Sequence, residues 1–240
     1  MIIELFGLQG AGKSTVYHLF DEEQETSPIK TLSFLSEQYY KRFPIYKICK
    51  FFSKKSALRM LRLFSPIFNI VKLKHFFINK KNIKQFKARI LRSSLFENKK
   101  ETRVFFRRIR YRIILTSIIN TKFSKSIILL DEGYLQLLLM FAVDMKDLDN
   151  FEFDLNGIIF VNVSSMLSVQ RQIERDGSDA HSHLSTEEFL GVMKKREERV
   201  NEIINYYKKV KIYSIDNESK ILNEALVSLI NGFFNDLKTV

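Results

Sequence analysis

Eight residues near the start of the chain, Gly7-Leu8-Gln9-Gly10-Ala11-Gly12-Lys13-Ser14, strongly restrict what can be built around them. They fill the spacing G-x-x-x-x-G-K-[ST]. Ile2-Ile3-Glu4-Leu5-Phe6, a short apolar β-prone segment, precedes them, and Ser14-Thr15-Val16-Tyr17-His18-Leu19-Phe20, which can open a helix, follows. Glycines let the backbone curl until several N–H groups converge on one point, and a helix N-terminus adds partial positive charge there. Such a loop suits phosphate oxygens. Lys13 would reach the β- and γ-phosphates, and Ser14 would offer its hydroxyl oxygen to Mg²⁺. A glycine-rich turn with no ligand would not need a strand before it and a helix after it. A nucleoside triphosphate is therefore the expected ligand, with Gly7, Gly10, Ala11, Gly12, Lys13, Ser14 and Thr15 around it.

The rest of the chain repeats a strand-then-helix rhythm. A helix is expected from about 13 to 24, a strand over 31–35, and apolar strands over 126–130, 157–163 and 210–215. Helices are expected over 166–175, over 219–236, and from the capping box Ser185-Thr186-Glu187-Glu188 to about Lys209. Near-continuous apolar strands alternating with helices read as a doubly wound parallel sheet of about five strands, an α/β fold. In such a sheet ligands bind at the carboxyl edge of the strands.

Residues 40–120 break that rhythm. They contain no glycine and 11 of the 22 phenylalanines, with apolar residues recurring at helical spacing, so several helices are expected inside the single domain 1–240. From Lys41 to Arg112 there are 23 Lys or Arg against two acids, Glu97 and Glu101. That segment carries +21 and the remainder −9, which together give the chain its net +12. The charge is thus local, an intensely basic insertion on a mildly acidic body. The lone Cys49 fits a reducing compartment, the N-terminal segment lacks the basic flank of a signal peptide, and no apolar run is long enough to span a bilayer. A cytoplasmic location is expected, with peripheral attachment at the inner membrane face left open.

Two further constellations carry chemistry. Asp131-Glu132-Gly133 follows a buried strand, where a carboxylate can hold Mg²⁺ and a second can orient or deprotonate an acceptor hydroxyl. The bland alternative is a turn with two solvated acids. Arg171 and Arg175 stand one helical turn apart, before the polar run 176–183. Cations at that spacing repel unless an anion lies between them, and the polar run could close as a lid over a transferring phosphate. The bland alternative there is a solvated helix face. His181 and His183 are too few for a metal site.

Taken together, the loop Gly7-x-x-Gly10-x-Gly12-Lys13-Ser14, Asp131 after its strand, the Arg171…Arg175 helix and Ile215-Asp216-Asn217 after the last strand resemble the P-loop kinases of the adenylate and thymidylate kinase-like group. The resemblance covers roughly 1–36 and 122–240. It implies γ-phosphoryl transfer from Mg-ATP to a small acceptor, with Lys13, Asp131, Glu132, Arg171 and Arg175 catalytic and Ser14 and Asp131 on the metal. It also implies that Asp216 and Asn217 lie beside the adenine. Thymidylate kinase-like enzymes usually place arginine where Glu132 stands, which points toward a hydroxyl acceptor. No Asn-Lys-x-Asp guanine signature occurs.

For the basic insertion several readings remain open: a solvated helical face, an acceptor site for an anionic small molecule, or attachment to an anionic membrane. Arg103, Arg107, Arg108 and Arg112 are the acceptor-site candidates. Basic residues interleaved with phenylalanines suit an interfacial helix. No nucleic-acid recognition motif occurs, which argues against that partner. A membrane- or nucleic-acid-associated NTPase that switches by hydrolysis, and a nucleotide-binding domain without catalysis, are the alternative functions. The oligomeric state is not legible in the residues.

Overall fold

The computed structural model describes residues 1–22, 29–50, 53, 66–92, 99–148, 151–176, 185–217 and 232. Its centre is a five-stranded, wholly parallel sheet in the order β2-β3-β1-β4-β5. The strands are β1 (Ile2–Phe6), β2 (Ile29–Thr31), β3 (Ile127–Leu130), β4 (Gly157–Asn162) and β5 (Lys211–Asp216). Every residue of β1 and β3 is buried, as helices on both faces require of a parallel sheet's centre. Register runs Glu4 with Leu130 and Leu5 with Ile159, which brings the ends of β1, β3 and β4 to one edge. The fold is doubly wound α/β, as expected.

The helices are α1 (Lys13–Glu22), α2 (Leu32–Tyr40), α3 (Pro44–Lys50), α4 (Pro66–Ile78), α5 (Lys80–Arg92), α6 (Lys99–Lys122), α7 (Tyr134–Met140), α8 (Ser165–Asp176) and α9 (Thr186–Tyr206), with a 3₁₀ turn over Met145–Leu148. The capping box forms. Ser185 Oγ accepts from the Glu188 N–H at 3.2 Å, and Glu188 Oε2 accepts from the Ser185 N–H at 2.7 Å. The helix expected over 219–236 lies outside the described residues.

One expectation is overturned. The second strand is not 31–35: it ends at Thr31, and Leu32-Ser33-Phe34-Leu35 begin α2. Thr31 Oγ1 accepts from the Phe34 N–H at 3.2 Å and caps the helix. The buried residues Leu32, Leu35, Ser36, Tyr39 and Tyr40 recur at three and four, a period that shows only when the window runs past 35.

The region 40–120 is helical where described, and its aromatics join it to the sheet-bearing body. Phe86 of α5 is buried with ring centroids 5.4 Å from Phe153 and 5.9 Å from Phe105 of α6. Tyr134, at the start of α7, stacks on Phe153 at 4.5 Å. Among the described phenylalanines of this region, Phe43, Phe86 and Phe105 are buried and Phe76 and Phe106 pack against the core, so they give the inserted helices an apolar interface of their own.

Candidate active site

The loop between β1 and α1 adopts backbone angles that its glycines alone tolerate well. Gly10 and Gly12 have φ of 84° and 93°. A Cβ on Gly7 would lie 2.3 Å from the carbonyl oxygen of Val161 in β4, so the loop sits hard against the sheet edge. Lys13, at the start of α1, folds back across the loop and donates from Nζ to the carbonyl oxygens of Gly7 (2.9 Å) and Leu8 (2.6 Å). The lysine thus closes the loop over its own backbone.

Two distant segments brace it. From α8, Ser168 donates its hydroxyl to the Gln9 carbonyl, and Gln172 Nε2 donates to the same oxygen at 3.1 Å. The Ser168 carbonyl would lie 2.9 Å from a Cβ on Gly10. From the end of β5, Asn217 Nδ2 donates to the Ala11 carbonyl at 2.7 Å, and Arg171 of α8 donates to the Asn217 carbonyl at 2.7 Å.

A cleft of about 720 Å³ opens beside the loop. It is lined by Gln9, Gly10, Gly12, Lys13, Ser14, Thr15, Asp131, Glu132, Gln136, Leu139, Met140, Arg171, Arg175, Arg196 and Asn217. The loop candidates Gly10, Gly12, Lys13, Ser14 and Thr15 therefore share one space with Asp131, Glu132, Arg171, Arg175 and Asn217. Asp216 is the last residue of β5 and is exposed just outside that lining. A second cavity, of about 790 Å³, is lined by Gln38, Lys41, Arg42, Tyr46, Lys47 and Phe123 and holds none of these groups.

The electrostatics of the cleft are those of a crowded, half-dry site. Burial lowers the Lys13 ammonium to about 8, against the pull of Asp131, Glu132 and Glu4, which favour its charged form. Burial and the neighbouring Glu132 raise Asp131 above the ordinary carboxylate range, opposed by Lys13 and Arg112. Three polar atoms on residues that line the cleft are buried with no hydrogen-bond partner among the described residues: Arg171 Nε, Gln136 Oε1 and Asn217 Oδ1.

Ser14 and Asp131 are oxygen donors in one cleft, the hard ligands that Mg²⁺ takes together with phosphate oxygens and water. Among the described residues no group of three or more His, Cys, Asp or Glu could hold a metal by itself.

The four insertion arginines divide. Arg112 is close enough to act on Glu4 and Asp131 electrostatically, and Arg108 donates to Met140 Sδ at 3.3 Å on the cleft wall. Arg103, Arg107 and Arg108 are exposed, and none of the four is part of the cleft lining. The polar run after Arg175, including His181 and His183, lies outside the described residues.

Sequence reasoning missed Glu4, Gln136, Ser168, Gln172 and Arg196. Arg196 of α9 reaches Gln9 Oε1 at 3.5 Å and contributes a third arginine to the cleft. Glu4 had a signal available, an acid within an otherwise apolar strand. Gln136 had a similar one, an amide within the otherwise apolar Tyr134–Met140, whereas Ser168, Gln172 and Arg196 stand on amphipathic helices where nothing local sets them apart.

No protein-family model matches the chain, and no curated protein does. Among solved structures, deoxyadenosine kinase from M. mycoides with bound dATP has 17% identity and a TM-score of 0.46, over 98% of this chain and 100% of that one. The same enzyme with bound dCTP gives 14% and 0.46 over 98% and 100%, and with the products dCMP and dCDP 17% and 0.40 over both whole chains. Likeness this loose transfers no residue roles.

Proposed function

We propose that the chain is an ATP-dependent kinase that transfers the γ-phosphoryl group of Mg-ATP to a small acceptor. The observation that carries this reading is the convergence in one cleft of the phosphate loop, two strand-end carboxylates and three arginines. A site that only bound nucleotide would not need Glu132 and three cations beyond the loop lysine.

The roles follow from charge and position. The loop amides and Lys13 hold the phosphates and neutralise their charge. Mg²⁺, held by Ser14, Asp131 and phosphate oxygens, would supply further neutralisation. Glu132, exposed at the cleft and next to Gly133, orients an acceptor hydroxyl or takes its proton. Arg171, Arg175 and Arg196 stabilise charge on the phosphoryl group in flight. Catalysis of this kind is mostly positioning and electrostatics. The Asn217 end of the cleft would take the nucleoside, and the Gln136 end the acceptor, a hydroxyl of a sugar, glycan or nucleoside, or a nucleotide phosphate.

The test is ADP release from Mg-ATP with a panel of nucleosides, nucleotides, sugars and sugar phosphates, and identification of the phosphorylated product. One soluble acceptor should stimulate turnover, and Lys13→Ala should lower it about 10²-fold, some 3 kcal/mol in the barrier. Phosphate released to water with no acceptor stimulating would overturn the kinase reading.

A further inference from the structure

Away from the cleft, α4 and α5 carry a surface that phosphoryl transfer does not use. Helix α4 is anchored on one side. His75 is buried, its Nδ1 2.9 Å from Ser117 Oγ of α6, and Asn79 Nδ2, just after α4, donates to the same hydroxyl at 3.1 Å. The opposite side is bare: Ile70, Leu73, Phe77 and Ile78 are 65%, 54%, 56% and 62% exposed. Ile70, Leu73 and Phe77 are spaced three and four apart and form a single stripe. Four large apolar side chains in solvent on one short helix are too many to be scattered surface residues.

The charge around the stripe is of one sign. Residues 66–92 hold eight Lys or Arg and no Asp or Glu. Lys74, Lys80, Lys81, Lys84 and Lys87 are exposed, and Lys80 Nζ sits 5.5 Å from the centre of the Phe77 ring. Lys74 and Lys80 thus border the apolar stripe, with Lys81 and Lys84 exposed on the adjoining α5 and Lys87 over the Phe106 ring at 5.9 Å, and cations beside an apolar face mark helices lying in the headgroup region of a bilayer.

We propose that α4 and α5 dock this protein on an anionic lipid surface, with Ile70, Leu73, Phe77 and Ile78 in the acyl boundary and the lysines on headgroup phosphates. A second copy of the chain fits poorly, because a symmetric contact would bring the two sets of cations together. A polynucleotide would satisfy the lysines but leave three aliphatic side chains in water. Helix α4 is about 20 Å long, too short to cross a bilayer, so it lies in the plane of the interface.

The chain contains no tryptophan, so Phe77→Trp places a single reporter on the stripe. On vesicles of equal parts phosphatidylcholine and phosphatidylglycerol its emission should shift to the blue and be quenched by brominated acyl chains. Pure phosphatidylcholine should give neither effect. Co-sedimentation of the full chain should weaken with salt and fall at least about tenfold in Leu73→Glu/Phe77→Glu, while Lys13→Ala leaves it unchanged. Lys81→Glu/Lys84→Glu, which leaves the stripe intact, should also weaken it. Unshifted emission, or vesicle binding indifferent to both double variants, overturns the proposal. So does a dimer that Phe77→Glu dissolves without any vesicle binding, or polynucleotide capture that matches vesicle capture and ignores Leu73→Glu.

Discussion

Glu4 and Gly133 meet at the junction of the sheet with α7: a Cβ on Gly133 would lie 2.2 Å from Glu4 Cδ. The Glu4 carboxylate fills that space because it accepts the N–H groups of Tyr134 (2.8 Å) and Gln136 (2.9 Å) at the start of α7. An acid at a helix N-terminus satisfies donors that the helix leaves open and complements its dipole. Gly133 directly follows Asp131 and Glu132, so this contact sets where those carboxylates stand. Gly133→Ala should cost about 1–3 kcal/mol of stability by overpacking and lower kcat more than it raises the KM for ATP. Paired denaturation and steady-state assays would check it.

Burial raises Glu4 to about 7, against the backbone N–H groups that favour its charged form. The folded protein therefore holds a proton that the unfolded chain has released. Stability from this group is greatest below about pH 4.5, falls as pH rises to about 7, and is flat above that. Glu4→Gln should flatten that window in urea titrations run across it.

Lys13 lies at about 8 because it is buried. Its charged form is the one that neutralises phosphate, so kcat/KM for ATP should decline above about pH 8 as the free enzyme loses that proton. Phosphates bound beside it favour the charged form, so kcat should decline at higher pH than kcat/KM does. Coincident declines would assign the titration to another group.

Gln136 presents a buried, unpartnered Oε1 at the cleft, while its backbone N–H is what Glu4 caps. Gln136→Leu should therefore spare the cap and, on the proposed reading, take from the cleft wall the amide that meets the acceptor. An increase of about tenfold in acceptor KM, with the KM for ATP unchanged, is expected.

Asn217 links Arg171 to the Ala11 carbonyl. Asn217→Ala should loosen the loop and weaken ATP binding roughly tenfold, about 1.4 kcal/mol, measurable by calorimetry.

The chain's local patterns determine much of this protein. The glycine spacing at 7, 10 and 12, the apolar runs at 126–130 and 157–163, and the Ser185–Glu188 cap all act over a few residues, and each formed within a residue of where its pattern stood. The carboxylates Asp131 and Glu132 were legible because they end such a run. Tertiary structure alone decided the rest. Pairing across the sheet set the strand order and ended β2 at Thr31. Glu4 meets Tyr134 across 130 positions, Gln172 meets Gln9 across 163, and Arg196 meets Gln9 across 187. No short-range preference encodes such meetings. They follow from how helices pack once the sheet has brought distant segments to the same edge.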